Sequence, residues 1–187
     1  EIEQQQKVAI LASKEPHCLL DLLHRWQCGE LACDIPCVIA NHESMAQYAQ
    51  WYRVPFHFVD FESLGTEAAF AEIERLLLEY TVDTVVLARF MRIFPAYLCT
   101  QYRHRMINIH HSFLPSFIGA KPYHQAYERG VKLIGATCHY VTEDLDEGPI
   151  IEQDVIRISH ADALADMIRK GKAVSYTHLT LPTIAGV

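Results

Sequence analysis

Short apolar runs alternate with amphipathic stretches along the first half of the chain, and this alternation constrains the fold most. The runs lie at 8–12, 34–40, 55–59 and 83–88. Between them, apolar residues recur at helical spacing, as in Leu19, Leu23 and Trp26. Strands that alternate with helices indicate βαβ units with right-handed crossovers over a parallel sheet. The sequence therefore predicts an α/β domain built on a mainly parallel, twisted sheet.

Composition limits the chain to few classes of protein. Its 187 residues, half of them apolar, suit one α/β domain with a sizeable core. The net charge is −7 and the cationic residues are scattered, so we expect no nucleic-acid partner. The chain begins without a basic segment followed by an apolar one, and it has no uninterrupted run of about 18 apolar residues. We therefore expect no membrane partner and a cytoplasmic location.

Six cysteines form an even set, which can indicate disulfides. They lie mainly within apolar segments, where cysteine behaves as a small buried hydrophobic residue and stays reduced. A zinc site built from Cys28, Cys33, Cys37 and His42 is an alternative, but no Cys-x-x-Cys pair supports it. We expect buried thiols and no metal.

The stretch 106–116, MINIHHSFLPS, places two polar residues at the end of an apolar run. Ligands of parallel α/β proteins bind outside the carboxyl ends of strands. Asn108 and His110 share one face of an extended segment, whereas His111 alternates to the opposite face. An isolated Asn–His pair is also compatible with purely structural hydrogen bonding. We assign His111 a packing or loop role.

A second polar stretch runs from Cys138 to Pro149. It continues an apolar strand into an acidic loop that closes on a Gly-Pro turn, and such a loop can project Asp146 into a cleft. His139 enters this loop from the strand. We interpret it as a structural histidine that could also support Asp146.

Together, the segments 108–110, 112–115 and 144–149 resemble the folate-dependent formyltransferase family, and the resemblance extends over about residues 7–172. It implies the three-layer αβα, Rossmann-like formyltransferase fold. It also implies that Asn108, His110 and Asp146 act on the formyl group of 10-formyltetrahydrofolate. This folate is the substrate, so no cofactor is expected.

These three side chains can divide the work of releasing formate. The Asn108 amide can donate a hydrogen bond to the formyl oxygen, where negative charge develops. His110 can move a proton at neutral pH, since the reference pKa of histidine is about 6.5. Asp146 can orient the imidazole and hold the attacking water. The sequence leaves open whether His110 or Asp146 takes the first proton.

The resemblance also assigns a folate pocket. Family members line it with the segment that corresponds to Met91, Arg92 and Ile93, using backbone groups to meet the pterin ring. Further binding candidates come from the loop that contains Gly119 and from the acidic loop: Val141, Thr142, Glu143 and Asp144. A flat pterin suits a slot with aliphatic walls and backbone partners.

The first βα turn bears on the acceptor of the formyl group. Family members that formylate nucleotides have a glycine-rich phosphate loop there, but the segment 13–18 contains no glycine, and Glu15 would repel a phosphate. Ser13 is the expected cap of the following helix, with Pro16 in its first turn. The chain thus looks most like the hydrolytic members, which release formate and tetrahydrofolate. The alternatives are formyl transfer to an amine and a non-catalytic folate-binding fragment.

Beyond Lys172 the family pattern and the helical periodicity both fail. We therefore interpret 1–172 as the catalytic domain and 173–187 as an atypical tail outside the native fold. The resemblance implies that the hydrolytic members also carry an N-terminal regulatory module of the ACT type, and we expect this module to be absent here. The expected partners are a small-molecule folate and further copies of the chain in a homo-oligomer.

Overall fold

The computed structural model describes residues 5–116 and 122–177, with side chains for all of these except 122 and 172–177. The strands are β1 (Gln6–Ala12), β2 (Cys33–Asp34), β3 (Val38–Ala40), β4 (Phe56–Phe58), β5 (Thr84–Ala88), β6 (Met106–His110), β7 (Leu133–Tyr140) and β8 (Ile150–Arg157). The helices are α1 (His17–Gln27), α2 (Ala46–Trp51), α3 (Phe61–Leu64), α4 (Thr66–Glu79), α5 (Ala96–Gln101), α6 (Pro122–Glu128) and α7 (Leu164–Thr177). The chain divides into two compact units between Ile107 and Asn108.

The first unit is built around β1. This strand pairs in parallel with β3 on one side and β5 on the other, so that Ile10 faces Val38 and Val86. Strand β4 adds to β3, also in parallel, and the short β2 pairs with the start of β1. The segment 8–12 is buried throughout. A strand buried on both faces has no polar side, which explains its continuous apolar sequence.

Amphipathic helices bury their apolar stripes in the first unit. The buried residues of α1 are Cys18, Leu19, Leu22 and Leu23. Those of α4 are Ala69, Phe70, Ile73, Leu76 and Leu77. Both sets recur at helical spacing, as the sequence predicts for helices with one face in a core.

The second unit begins within β6, at Asn108, and contains β7 and β8 as the next strands of the sheet, which run antiparallel to each other. Its apolar cluster combines two helices with the strands and comprises Tyr123, Ala126, Ile134, Ile158 and Met167. A β-bulge interrupts the pairing of β7 with β8 between Cys138 and His139. Bulges bend a strand locally and redirect side chains.

The α/β class predicted from the sequence is confirmed, with three local differences. The strand predicted over 34–40 divides into β2 and β3 around Pro36, which has no N–H to donate to a ladder. Ser13 does not cap α1, because its hydroxyl donates to Asn41 Oδ1 at 2.5 Å and α1 follows Pro16. The last helix runs to Thr177, farther than its periodicity predicts.

The interpretation of 173–187 as a tail stays a prediction, because 178–187 lie outside the described residues. Within the described ranges, no three His, Cys, Asp or Glu side chains are placed to hold a metal ion. Burial raises the pKa of Cys33 to about 11 and that of Cys37 to about 12, so both are protonated at neutral pH. Among the helices described, none is long and apolar enough to cross a membrane.

Candidate active site

Strand β6 presents Asn108 and His110 on one face. Its other residues, Met106, Ile107 and Ile109, are buried, whereas these two side chains are partly exposed. This is the arrangement that strand alternation predicts for a polar pair. The neighbouring His111 is buried.

The loop that follows β6 is fixed to β7 by Thr137. The buried Thr137 hydroxyl donates to Ser112 O at 2.8 Å and accepts from Leu114 N at 3.0 Å. Gln153 Nε2 donates both to Leu114 O and to the same hydroxyl, at 2.9 and 3.0 Å. Buried polar groups stabilise a fold only when they have hydrogen-bond partners. This network therefore holds the exit from β6, and with it the end of the strand that carries His110.

The loop between β7 and β8 presents Asp146. Its backbone has φ 58°, a left-handed conformation that Asp tolerates better than most residues because its short side chain bonds locally. The turn is tight at Gly148, where a Cβ atom would overlap Tyr140 O. Glycine is therefore required there for space, and the sequence feature that predicted a projecting Asp146 has a direct steric cause.

His110 and Asp146 face each other at the centre of the site. His110 Nδ1 lies 3.5 Å from Asp146 Oδ1, and their side chains are only 13% and 8% exposed. Hydrogen bonding and electrostatic attraction from its two imidazole neighbours, His139 and His110, lower the pKa of Asp146, although burial opposes both effects. Asp146 is thus a carboxylate at neutral pH, able to accept a hydrogen bond from water or from an imidazole.

His139 lies between the other polar groups. Its Nε2 is 3.3 Å from Asn108 Nδ2 and 3.7 Å from Asp146 Oδ1, and its Nδ1 is 2.9 Å from Tyr140 O. The sequence suggested a structural histidine with a link to Asp146, but it gave no indication of the contact with Asn108. That contact joins neighbouring strands, so strand order would have been the only signal for it.

The structure thus gathers Asn108, His110 and Asp146 into one cluster around His139. Such a cluster can donate a hydrogen bond to a carbonyl oxygen from the amide, exchange a proton through an imidazole, and hold water on a carboxylate. The catalytic roles of the three residues stay predictions.

The predicted folate-binding residues are distributed over both units. In the first unit, Met91 and Ile93 are 70% and 67% exposed, and the Arg92 guanidinium lies 4.8 Å from the centre of the Phe61 ring. The backbone N–H of Met91 donates to Ser13 Oγ at 3.4 Å. Large exposed apolar side chains at a strand end are typical of binding surfaces.

In the second unit, the predicted binding residues belong to the acidic loop. Val141 and Thr142 are partly buried, whereas Glu143 and Asp144 are exposed. The Thr142 hydroxyl donates to Asp144 O at 3.1 Å and so closes the start of the loop. Gly119 lies outside the described residues. Binding by all of these residues stays a prediction.

The turn between β1 and α1 has a carboxylate where a phosphate loop would have glycine. Glu15 Oε2 lies 3.5 Å from His17 Nδ1, at the start of α1. A helix N-terminus attracts anions, and here an anionic side chain already occupies its vicinity. This turn is therefore a poor cradle for a phosphorylated substrate.

Curated relatives with similar sequences carry the name formyltetrahydrofolate deformylase. The chain is 49% identical to the formyltetrahydrofolate deformylase of Synechocystis over 91% of its own length and 60% of the relative's. It is also 49% identical to the deformylase of Bacillus subtilis, over 90% of this chain and 56% of that one. The chain thus spans less than two thirds of the length of these relatives.

Solved structures of a deformylase and of a formyltransferase share the fold of this chain. A formyltetrahydrofolate deformylase from Pseudomonas syringae superposes with a TM-score of 0.90 and 57% identity, over 93% of this chain and 58% of that one. A phosphoribosylglycinamide formyltransferase from Bacillus halodurans reaches a TM-score of 0.90 with 32% identity, over 97% of this chain and 94% of that one. The sequence model of the formyl transferase family matches residues 6–182. The resemblance seen in the sequence is therefore confirmed, and the chain belongs to the formyl transferase family.

Proposed function

We propose that the chain is the catalytic part of a formyltetrahydrofolate deformylase, which hydrolyses 10-formyltetrahydrofolate to formate and tetrahydrofolate. The observation that carries the proposal is the largely buried His110–Asp146 pair, which His139 connects to the Asn108 amide. An amide donor, an imidazole and an ionised carboxylate are the groups that water attack on a formyl carbonyl requires. The similarity to deformylases supports this choice of reaction.

Each group has a defined part in the proposed mechanism. Asp146, which its surroundings keep ionised, accepts a hydrogen bond from the attacking water and orients the His110 ring. Water adds to the formyl carbon and loses a proton to this pair, while an Asn108 N–H donates to the oxygen that becomes an oxyanion. The C–N bond then breaks, and the same proton moves to the departing folate nitrogen.

The turn after β1 supports water as the acceptor. A phosphorylated amine needs backbone N–H groups and cations around its phosphate. In this turn the Glu15 carboxylate lies beside His17 at the start of α1, and the segment 13–18 has no glycine. A second substrate with a phosphate group would meet a negative charge there.

Met91 and Ile93 are proposed to bind the folate. Their exposed aliphatic side chains offer the apolar surface that suits the face of a pterin ring. Arg92 is held over Phe61 and adds a cation for an anionic group of the substrate. Gly119, Val141, Thr142, Glu143 and Asp144 remain further candidates for folate binding.

Formyl transfer to an amine is the second candidate. The structural similarity to a phosphoribosylglycinamide formyltransferase favours it, because the fold and the overlap are as good as for a deformylase. The cluster of Asn108, His110 and Asp146 would serve either acceptor. Activity must therefore be measured with and without an amine.

The purified chain is incubated with 10-formyltetrahydrofolate, and formate is measured in the absence of any amine. We expect formate and tetrahydrofolate in equal amounts, and glycinamide ribonucleotide should neither accelerate the reaction nor become formylated. His160→Ala and Asp154→Asn, which change an exposed histidine and a carboxylate on β8, serve as controls that keep the wild-type rate.

Three outcomes separate the candidates. Formate that appears without an amine supports the deformylase. Formyl transfer that requires the amine would replace it by a formyltransferase, and folate binding with no turnover in either assay would leave a binding fragment. The membership of the formyl transferase family also supports three further proposals. They are a cytoplasmic location, assembly into a homo-oligomer and a place in purine biosynthesis.

A further inference from the structure

His139 faces two groups that require opposite protonation states of its Nε2 atom. Asn108 Nδ2, at 3.3 Å, is a donor and requires a lone pair on Nε2. Asp146 Oδ1, at 3.7 Å, is an acceptor and requires a proton there. Nε2 cannot accept from Asn108 and donate to Asp146 at the same time. The hydrogen-bond partner of the other ring nitrogen, Nδ1, therefore decides which tautomer His139 adopts.

The Tyr140 carbonyl fixes the proton on the opposite side of the ring. His139 Nδ1 lies 2.9 Å from Tyr140 O, and a carbonyl oxygen can only accept a hydrogen bond, so Nδ1 carries a proton. A neutral imidazole has a single N–H, which leaves Nε2 as an acceptor. The contact with Asn108 is within hydrogen-bond distance, whereas that with Asp146 is longer. The neutral ring therefore fits the closer partners, and in this tautomer the donor that faces Asp146 is His110 Nδ1, 3.5 Å away, rather than His139.

Several contacts constrain the backbone around Tyr140 and keep its carbonyl oxygen facing His139 Nδ1. The same tautomer of His139 is therefore favoured throughout. Tyr140 N donates to Pro149 O at 2.9 Å. Gly148 packs so closely that a Cβ atom there would overlap Tyr140 O. The bulge between Cys138 and His139 lies at the same point of β7. Turn, carbonyl and ring are thus fixed relative to one another.

We propose that His139 is a positioning residue that sets the orientation of the Asn108 amide. The two orientations of a carboxamide exchange its N and O atoms, and they are nearly equal in shape. By accepting one N–H of Asn108, neutral His139 leaves the other N–H for the formyl oxygen. Without this acceptor, the amide can present its oxygen to the substrate, where it would repel the oxyanion. The catalytic consequence rests on the proposed function, whereas the position of the proton does not.

Two substitutions separate this role from simple packing. The side-chain amide of glutamine reaches the position of Nε2, so His139→Gln keeps an acceptor for Asn108. The shorter His139→Asn places its amide near Nδ1, where it can donate to Tyr140 O but does not reach Asn108. We expect kcat to fall about tenfold or more in His139→Asn, with KM nearly unchanged, and to stay within about threefold of wild type in His139→Gln.

The proton position is measured directly by ¹⁵N NMR of the wild-type chain labelled in its histidine rings. The His139→Gln spectrum identifies the signals, which need no substrate. We expect one protonated nitrogen, Nδ1, and one unprotonated nitrogen, Nε2, at pH 8. Because this measurement uses the wild-type fold, it decides the proposal even if His139→Asn does not fold.

A proton on Nε2 in the resting protein, or equal kcat values for the two variants, would overturn the role of His139 and leave the deformylase assignment intact. A wild-type chain without formate release would overturn the proposed function instead, and the NMR result would still decide the hydrogen-bond arrangement. The two failures are therefore distinguishable.

Discussion

The two units bury polar groups in different proportions. The first unit buries continuous apolar strands, with β1 as the clearest example, and Ser13 and Thr84 are the buried polar side chains among its described residues. The second unit buries polar side chains among its apolar ones: Ser112, Thr137 and His139 are all shielded from water. Apolar burial stabilises in proportion to area and is not directional, whereas each buried polar atom needs a partner in a defined direction.

This difference indicates which unit depends on the exact positions of its side chains. A leucine in the first unit can shift slightly and keep most of its contacts. His139 cannot shift without losing Asn108 or Tyr140 O as a partner. We therefore expect substitutions in the first unit to change mainly stability and substitutions in the polar cluster to change mainly turnover.

The largest effect on stability is expected for Leu11→Ala. Leu11 is fully buried in β1, so the substitution should lower the free energy of unfolding by about 2–5 kcal/mol. Urea titration measures this loss, and the folded fraction should keep its kcat. Leu78→Ala, an exposed leucine of α4, is the matched control and should stay within about 0.5 kcal/mol. Equal losses at both positions would contradict the comparison.

The largest effect on turnover is expected in the polar cluster. Asn108→Ala should lower kcat about 10²–10³-fold, which corresponds to about 2.7–4 kcal/mol of transition-state stabilisation. His110→Ala and Asp146→Asn should also lower it by orders of magnitude, with folate binding retained. Formate release and equilibrium folate binding are the two measurements, with His160→Ala as the control. Wild-type rates in all three variants would remove the catalytic assignment.

An intermediate effect is expected for Thr137→Val, which keeps the shape of the side chain. It removes the donor to Ser112 O and leaves Leu114 N without its acceptor. The free energy of unfolding should fall by about 1–3 kcal/mol in thermal or urea unfolding. Thr66→Val, at the exposed start of α4, should change it by less than about 0.5 kcal/mol. A neutral Thr137→Val would show that this network stabilises little.

Acid should affect the wild type more than Asp146→Asn. The pKa of Asp146 is lower in the folded protein than in the unfolded chain, where it is about 3.9. Its contribution to stability is therefore complete above the unfolded value and is lost as the pH falls through the folded value. Urea midpoints at pH 6 and pH 3 should thus fall more for the wild type. Parallel losses in both proteins would argue against an ionised Asp146.

The smallest effect is expected on the surface of α4. Arg75 forms ion pairs with Glu72 and Glu79, and all three side chains are largely exposed. Such pairs stabilise helices by about 0.2–0.5 kcal/mol each, and less at high salt. Arg75→Ala should therefore shift the urea midpoint slightly at low salt and even less in 1 M NaCl. A loss comparable to that of Thr137→Val would be inconsistent with solvent screening.

Much of the fold could be predicted because buried parallel strands have a distinctive sequence. β1 and β5 are continuous apolar runs, and α4 has a long apolar stripe. The short helices α3 and α5 were not predicted, because four to six residues do not establish a helical period. The contact of Ser13 with Asn41 was also missed, since it joins two strand ends that are distant in sequence.

The candidate site was predictable to the extent that its signals are local. Alternation placed Asn108 and His110 on one face, and the Gly-Pro turn indicated a projecting Asp146. The link between Asn108 and His139 spans 31 residues and depends on the strand order and on the bulge in β7. Local sequence contains neither of these, which explains why it indicates a structural histidine with a link to Asp146 but not the contact of His139 with Asn108.

The left-handed backbone at Asp146 has a consequence for protein engineering. Glycine adopts this conformation freely, whereas residues with a Cβ atom lose about 1 kcal/mol there. A selection for thermal tolerance alone would therefore favour glycine at this position and remove the carboxylate. Directed evolution of this chain needs an activity screen in every round, because glycine would relax the backbone at Asp146 and would remove the side chain that the proposed reaction requires.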